Sequence, residues 1–184
     1  MAKLSILDIV HDTTVDGSGF RTSIYAAGCM HKCPGCHNPY SWDIAHGTAH
    51  TVDGLLTIIK EDEFSNVTFT GGDPLMQVDG FTALARKIKN ETSKSIWCYT
   101  GFSFEQILES SKLSQILPFI DVLVDGKYID RLRNVDLQFR GSSNQRLIDV
   151  QKSLVENKVV LWRENMSFIQ QPHFNSQNLE VNIC

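Results

Sequence analysis

The sequence predicts an α/β fold in which a parallel sheet, open on one side, curls into a partial (β/α) barrel. Three observations lead there. Short apolar runs of strand character alternate with stretches of helical periodicity between residues 20 and 124. Alternation of this kind builds parallel sheets through right-handed crossovers. At 184 residues the chain is also too short for a closed eight-stranded barrel, which takes roughly 250.

Taken in order, residues 4–11 form a first strand carrying Leu4, Ile6, Leu7, Ile9 and Val10, ended by Asp12-Thr13-Thr14. Asp16-Gly17-Ser18-Gly19 is a turn, and residues 20–27 make a second strand that delivers Gly28 and Cys29 at its carboxyl end. Leu55, Leu56, Ile58 and Ile59 stripe a helix over 52–61, followed by a strand at 67–70. A helix over 80–89, a strand over 95–99, a helix from Phe104 and a strand over 121–124 continue the rhythm. Ser103 followed by Gln106 predicts a capping box. Residues 147–150 and 158–162 read as a last helix and strand. The expected domain is 1–163. Residues 164–184 lose periodicity and are rich in Asn and Gln, as in a poorly ordered tail or a partner-docking extension.

Composition excludes several classes. Net charge is −4, from 17 basic and 21 acidic residues without a block of like charge, so no nucleic-acid footprint is present. No apolar run approaches the roughly 20 residues needed to cross a bilayer. Residues 1–10 hold one lysine and an apolar run broken by Ser5 and Asp8, unlike a secretory leader, so a reducing cytoplasmic compartment is expected.

The chemistry centres on Cys29-Met30-His31-Lys32-Cys33-Pro34-Gly35-Cys36, three cysteines at C-x3-C-x2-C spacing in a loop at a strand end. Three thiolates without a fourth nearby leave one coordination position open on a cluster or metal. A zinc knuckle completed by His31 or His37 is the competing reading of the same residues. Cys98 lies in the apolar run 95–99 and reads as a buried thiol, and Cys184 is remote from the others. Gly71-Gly72-Asp73-Pro74 leaves the next parallel strand at the same sheet end, where two glycines allow close backbone approach to a ligand. Thr100 and Gly101, and then Asp125 and Lys127, follow the next two strands and can reach the same mouth.

This pattern resembles the radical S-adenosylmethionine enzymes. Asp16-Gly17-Ser18-Gly19-Phe20-Arg21, residues 28–42, Gly71-Gly72-Asp73-Pro74, Tyr99-Thr100-Gly101-Phe102, Val124-Asp125-Gly126-Lys127 and Arg140-Gly141-Ser142-Ser143-Asn144-Gln145-Arg146 look like the branch that activates anaerobic ribonucleoside-triphosphate reductases. The resemblance covers residues 4–163. It implies a [4Fe-4S] cluster on Cys29, Cys33 and Cys36, whose open iron chelates S-adenosyl-L-methionine. It further implies cofactor contacts at Gly35, Cys36, His37, Gly71, Gly72, Asp73, Thr100, Asp125 and Lys127, with His37 at the adenine and Asp73 standing where many relatives have glutamate. The implied activity is reductive cleavage of the cofactor and abstraction of a hydrogen atom from a glycine of the reductase large subunit, with reduced flavodoxin or a similar protein as electron donor. The alternatives are a radical enzyme with another glycyl-radical partner or a small substrate, and a zinc-binding or electron-transfer module.

Overall fold

The computed structural model describes residues 3–164. The expected tail, with Cys184, therefore lies outside the described residues, apart from Glu164. Seven strands form one mixed sheet in the order β3-β1-β2-β4-β5-β6-β7. The strands are β1 (Lys3–Thr13), β2 (Arg21–Ala26), β3 (Thr48–Thr51), β4 (Asn66–Gly71), β5 (Ile96–Tyr99), β6 (Val122–Asp125) and β7 (Arg146–Asp149). The helices α1 (Val52–Glu61), α2 (Val78–Glu91), α3 (Phe104–Glu109) and α4 (Val150–Glu156) connect or follow them. The middle of the sheet, β2-β4-β5-β6, is parallel as expected. Both margins are antiparallel: β1 pairs with β2 and β3, and β7 with β6. The two edges, β3 and β7, do not meet, so the sheet is open.

Local sequence accounts for most boundaries. Thr51 caps α1 by accepting from the Gly54 N–H. Ser103 and Gln106 form the full capping box of α3. Leu55, Leu56 and Ile59 of α1 and Phe81, Leu84, Ala85 and Ile88 of α2 pack against Ile24, Val67, Phe69, Ile96 and Cys98 of the sheet. Burial of this apolar face is the main stabilising term.

The end of the chain departs from expectation. Residues 147–150 were expected as helix, yet Arg146–Asp149 is a strand. Leu147 joins the aromatic cluster on one sheet face and Ile148 the helix-covered core on the other, a period-2 burial that only a strand provides. The helix begins one step later, capped by Asp149, which accepts from the Lys152 N–H. Residues 158–162 contribute a single bridge, Leu161 to Ile148, in place of a strand. β3 was not anticipated, because Thr48-Ala49-His50-Thr51 carries no apolar alternation.

The two sheet faces differ in kind. Arg21, Ser23, Tyr25, Thr68, Thr70 and Tyr99 alternate with core residues and so stand on the face away from the apolar core. Arg21 is 1% exposed. Its Nε donates to Thr68 Oγ1 at 2.5 Å, one terminal nitrogen donates to the Ser18 carbonyl at 3.0 Å, and the guanidinium lies 5.2 Å from the Trp97 ring centroid. Burial lowers its pKa to about 10, so it stays charged at neutral pH. Trp97 is in turn met edge-on by Phe139 and Trp162.

Phe69 is fully buried and its ring centroid lies 4.9 Å from that of Phe81. Phe69→Ala is expected to lower the unfolding free energy by about 3–5 kcal/mol, measured by guanidinium titration.

Candidate functional site

The carboxyl ends of the four parallel strands share one margin of the sheet, as the register Ala26 to Gly71 and Tyr99 to Val124 requires. Strand β2 leads into Gly28 and the cysteine loop, β4 into Gly72 and Asp73, β5 into Thr100 and Gly101, and β6 into Gly126 and Lys127. Ligand sites of open α/β sheets assemble at this margin.

The cysteine loop is closed at its root by main-chain bonds. The Gly28 and Cys29 N–H groups donate to the Ser41 and Trp42 carbonyls at 2.8 and 3.1 Å. Inside the loop the Cys36 N–H donates to the Cys33 carbonyl at 3.1 Å, turning the two cysteines together. Cys29, Cys33 and Cys36 are free and partly exposed, whereas Cys98 is buried. Burial pushes the Cys29 thiol up, opposed by the backbone N–H groups of His31 and Lys32. Burial also pushes Cys98 well up, leaving it an inert thiol.

The loop is held to the sheet through Asp73, which is 0% exposed. Oδ2 accepts from His31 Nε2 at 2.7 Å and from the Gly101 N–H at 3.0 Å. Oδ1 accepts from the Leu75 N–H at 2.9 Å, and the Thr100 hydroxyl reaches both oxygens at 2.9 and 3.0 Å. The family resemblance implies a cofactor contact at this carboxylate; in the structure the chain's own donors surround it. His31, one of the possible zinc ligands, is engaged by the same bond. Among the described residues no three His, Cys, Asp or Glu side chains are grouped to hold a single metal ion.

Close approach explains two glycines. A Cβ on Gly72 would lie 2.5 Å from the Gly28 carbonyl oxygen, and one on Gly101 would lie 2.3 Å from the His31 ring. Gly72 therefore packs strand end against loop root, and Gly101 leaves room for the imidazole. His31 was noticed in the sequence only for its place beside the cysteines; its partner lies 42 residues away.

Asp125 is 1% exposed. It accepts from Arg146 Nε at 3.0 Å and from the Phe104 N–H at 2.8 Å, which joins β6 to β7 and to the start of α3. Arg146 also makes a fork to Glu105, holding that carboxyl down to about 2. Lys127 is exposed beyond β6.

A cavity of about 790 Å3 opens over the polar sheet face. Gly35, His37 and Asn38 of the cysteine loop line it, with Gly71, Thr70, Tyr25 and Tyr99 from the strands. Asp130, Arg133, Phe139, Arg140 and Gln145 supply the outer wall. Of the expected cofactor contacts, Gly35, His37 and Gly71 thus share one cavity, while Asp73, Thr100 and Asp125 face inward to brace it.

A 4Fe-4S single cluster domain profile matches residues 15–148. Similar curated proteins include the anaerobic ribonucleoside-triphosphate reductase-activating proteins of Vibrio cholerae, Enterobacteria phage T4 and Escherichia coli K12. They are 33%, 37% and 33% identical over 139 residues each. The alignments cover 71%, 72% and 71% of this chain and 88%, 86% and 89% of those proteins. The chain belongs to this activating-protein family. It accordingly carries a 4Fe-4S cluster domain, and the cysteine loop lies wholly within the matched segment. No helix among the described residues is long and apolar enough to cross a membrane.

Gly101→Ala is expected to drive the His31 ring off Asp73 and loosen the cysteine loop. Hydrogen exchange at residues 29–36 should accelerate about tenfold or more, consistent with loss of one charge-assisted bond, while exchange in α2 stays unchanged. Gly72→Val should be more severe and lower the yield of folded protein, because its obstacle is backbone.

Proposed function

We propose that this protein is a radical S-adenosylmethionine activase that generates the glycyl radical of an anaerobic ribonucleoside-triphosphate reductase. The observation that carries the reading is the cavity itself: family membership brings an iron–sulfur domain, and Gly35, His37 and Asn38 of the cysteine loop share this cavity with the end of β4. In this reading Cys29, Cys33 and Cys36 hold one [4Fe-4S] cluster and leave one iron for the cofactor's methionyl group. The residues present suit both groups. Three partly exposed thiols lie in one loop, and a cavity of about 790 Å3 adjoins it.

When bound, cluster and cofactor would supply the chemistry, one-electron reductive cleavage of the sulfonium to methionine and a 5′-deoxyadenosyl radical able to take a hydrogen atom from glycine. The chain's own residues bind, orient and shield. Gly71 and Gly72 bring main chain close to the cofactor amine, and Cys36 and His37 flank its adenine. Asp73, Thr100 and His31 keep the cysteine loop in register with the strand ends. Asp125 acts through Arg146, and Lys127 offers an exposed cation to the cofactor carboxylate. The open sheet serves as a partial barrel, its lateral mouth closed by the reductase, which excludes water around the reacting carbon. A flavodoxin-like protein supplies the electron.

Cys29→Ala, Cys33→Ala and Cys36→Ala should each abolish the visible absorbance of the anaerobically reconstituted cluster, whereas Cys98→Ala retains it. Full iron and sulfide content in Cys33→Ala would refute the ligand set. With reductase, S-adenosylmethionine and a strong reductant in the absence of oxygen, the intact chain should give a glycyl-radical doublet by electron paramagnetic resonance. Cofactor cleavage without the doublet would assign the activity to a different substrate.

A further inference from the structure

Two buried polar atoms in the wall of the mouth cavity have no hydrogen-bond partner among the described residues, Tyr99 Oη and Arg140 Nε. Three polar neighbours in the same wall, Tyr25, Tyr128 and Gln145, are satisfied. Tyr25 Oη donates to Asp16 at 2.6 Å, and Tyr128 Oη donates to Asp130 at 2.8 Å. Gln145 Oε1 accepts from the Gly141 and Ser142 N–H groups, and its Nε2 donates to the Gly126 carbonyl. Buried polar groups are normally paired, because desolvation without a partner is unfavourable. Five buried side-chain atoms lack a partner among the described residues, and Tyr99 Oη and Arg140 Nε are the two whose residues share this cavity wall, which makes it the candidate place for a ligand to complete the bonding.

The chemistry of the missing group follows from the donors. A guanidinium has N–H donors and no acceptor. Burial raises the Tyr99 phenol, so it too keeps its proton. Only a ligand that presents acceptors matches both. The two atoms come from β5 and from the segment after Phe139, not from the cysteine loop or the Gly71-Gly72 turn. The function proposed above supplies such a ligand. A glycine has no side chain, so its own polar contacts come from the peptide units on either side, whose carbonyls are strong acceptors.

Resting on that function, we propose that Tyr99 Oη and Arg140 Nε are positioning groups for the substrate segment, donating hydrogen bonds to the backbone carbonyls that flank the target glycine. Tyr99 lies on β5 and Arg140 in the segment after Phe139, and both line the same cavity, so one substrate segment entering it can meet both. The two bonds orient the segment's Cα–H; they take no part in bond breaking.

The test uses the full chain with its cluster reconstituted anaerobically, titrated by calorimetry with S-adenosylmethionine and separately with the anaerobic ribonucleoside-triphosphate reductase. Arg140→Ala should weaken reductase binding about 10- to 100-fold, the range for a hydrogen bond to a charged group, and Tyr99→Phe about 2- to 10-fold. Cofactor affinity should stay within about twofold. Tyr99→Phe removes a hydroxyl that bonds nothing in the free protein, so its melting temperature should be unchanged or higher. A lower melting temperature with unaltered reductase affinity would make the group structural and overturn the assignment. Loss of cofactor affinity in either variant would place these atoms at the cofactor instead and also overturn it. If the unmutated chain binds the reductase and both variants bind equally well, the assignment alone fails. If the unmutated chain does not bind the reductase, the function proposed above fails with it.

Discussion

The site depends on one buried carboxylate. Asp73 gathers a donor from the cysteine loop, two from the end of β5 and one from the turn it begins itself. A carboxylate removed from water is strongly unfavourable unless its lone pairs are filled, so each of these donors is required once Asp73 is enclosed. Its surroundings follow from that. Gly101 has no side chain because the His31 ring occupies the space, and Gly72 has none because the Gly28 carbonyl does. Removing the charge would release the loop from the sheet, so the position of the thiols is set 42 residues away in sequence.

The sheet separates stability from chemistry by its pleat. Alternate residues of β2, β4 and β5 face helices and supply the apolar core, while the residues between them are Arg21, Tyr25, Thr68, Thr70 and Tyr99. A parallel sheet covered on both sides by helices would carry near-continuous apolar strands. β2 and β4 alternate instead, and their polar face becomes cavity wall, while Trp97 of β5 joins the aromatic cluster beside it. Arg21 fixes the turn at its edge: the bond to the Ser18 carbonyl holds the segment whose Asp16 accepts from Tyr25. A permanent charge under Trp97 is tolerated because carbonyl and hydroxyl oxygens surround it.

Much of this was legible in the sequence because it is local. The cysteine spacing, the capping box at Ser103 and Gln106, and the stripes of α1 and α2 are each written within about a dozen residues. Where the reading failed, the decisive information was distant. Residues 147–150 are a short apolar run, which periodicity cannot divide between helix and strand; pairing with β6 decides it. β3 exists because β1 offers it a partner; two threonines give it some strand propensity but no apolar alternation marks it. Asp73 and Asp125 were recognised as important, but their partners could not be read along the chain. A short polar motif at a strand end fits a ligand contact and an internal brace equally well until His31 and Arg146 are seen beside them.

The root of the cysteine loop has a consequence for the cluster proposed to sit in it. In small zinc domains metal binding and folding are one event, and chelation unfolds the protein. Here the loop is fastened at Gly28 and Cys29 to Ser41 and Trp42 by main-chain bonds, and at His31 to Asp73 by a side-chain bond, none of which involves a thiol. Oxygen damage to a cluster in this loop would thus strip the inorganic core and leave its mould standing. Recovery after exposure to air would then call for reduced thiols, iron and sulfide rather than for refolding of the chain.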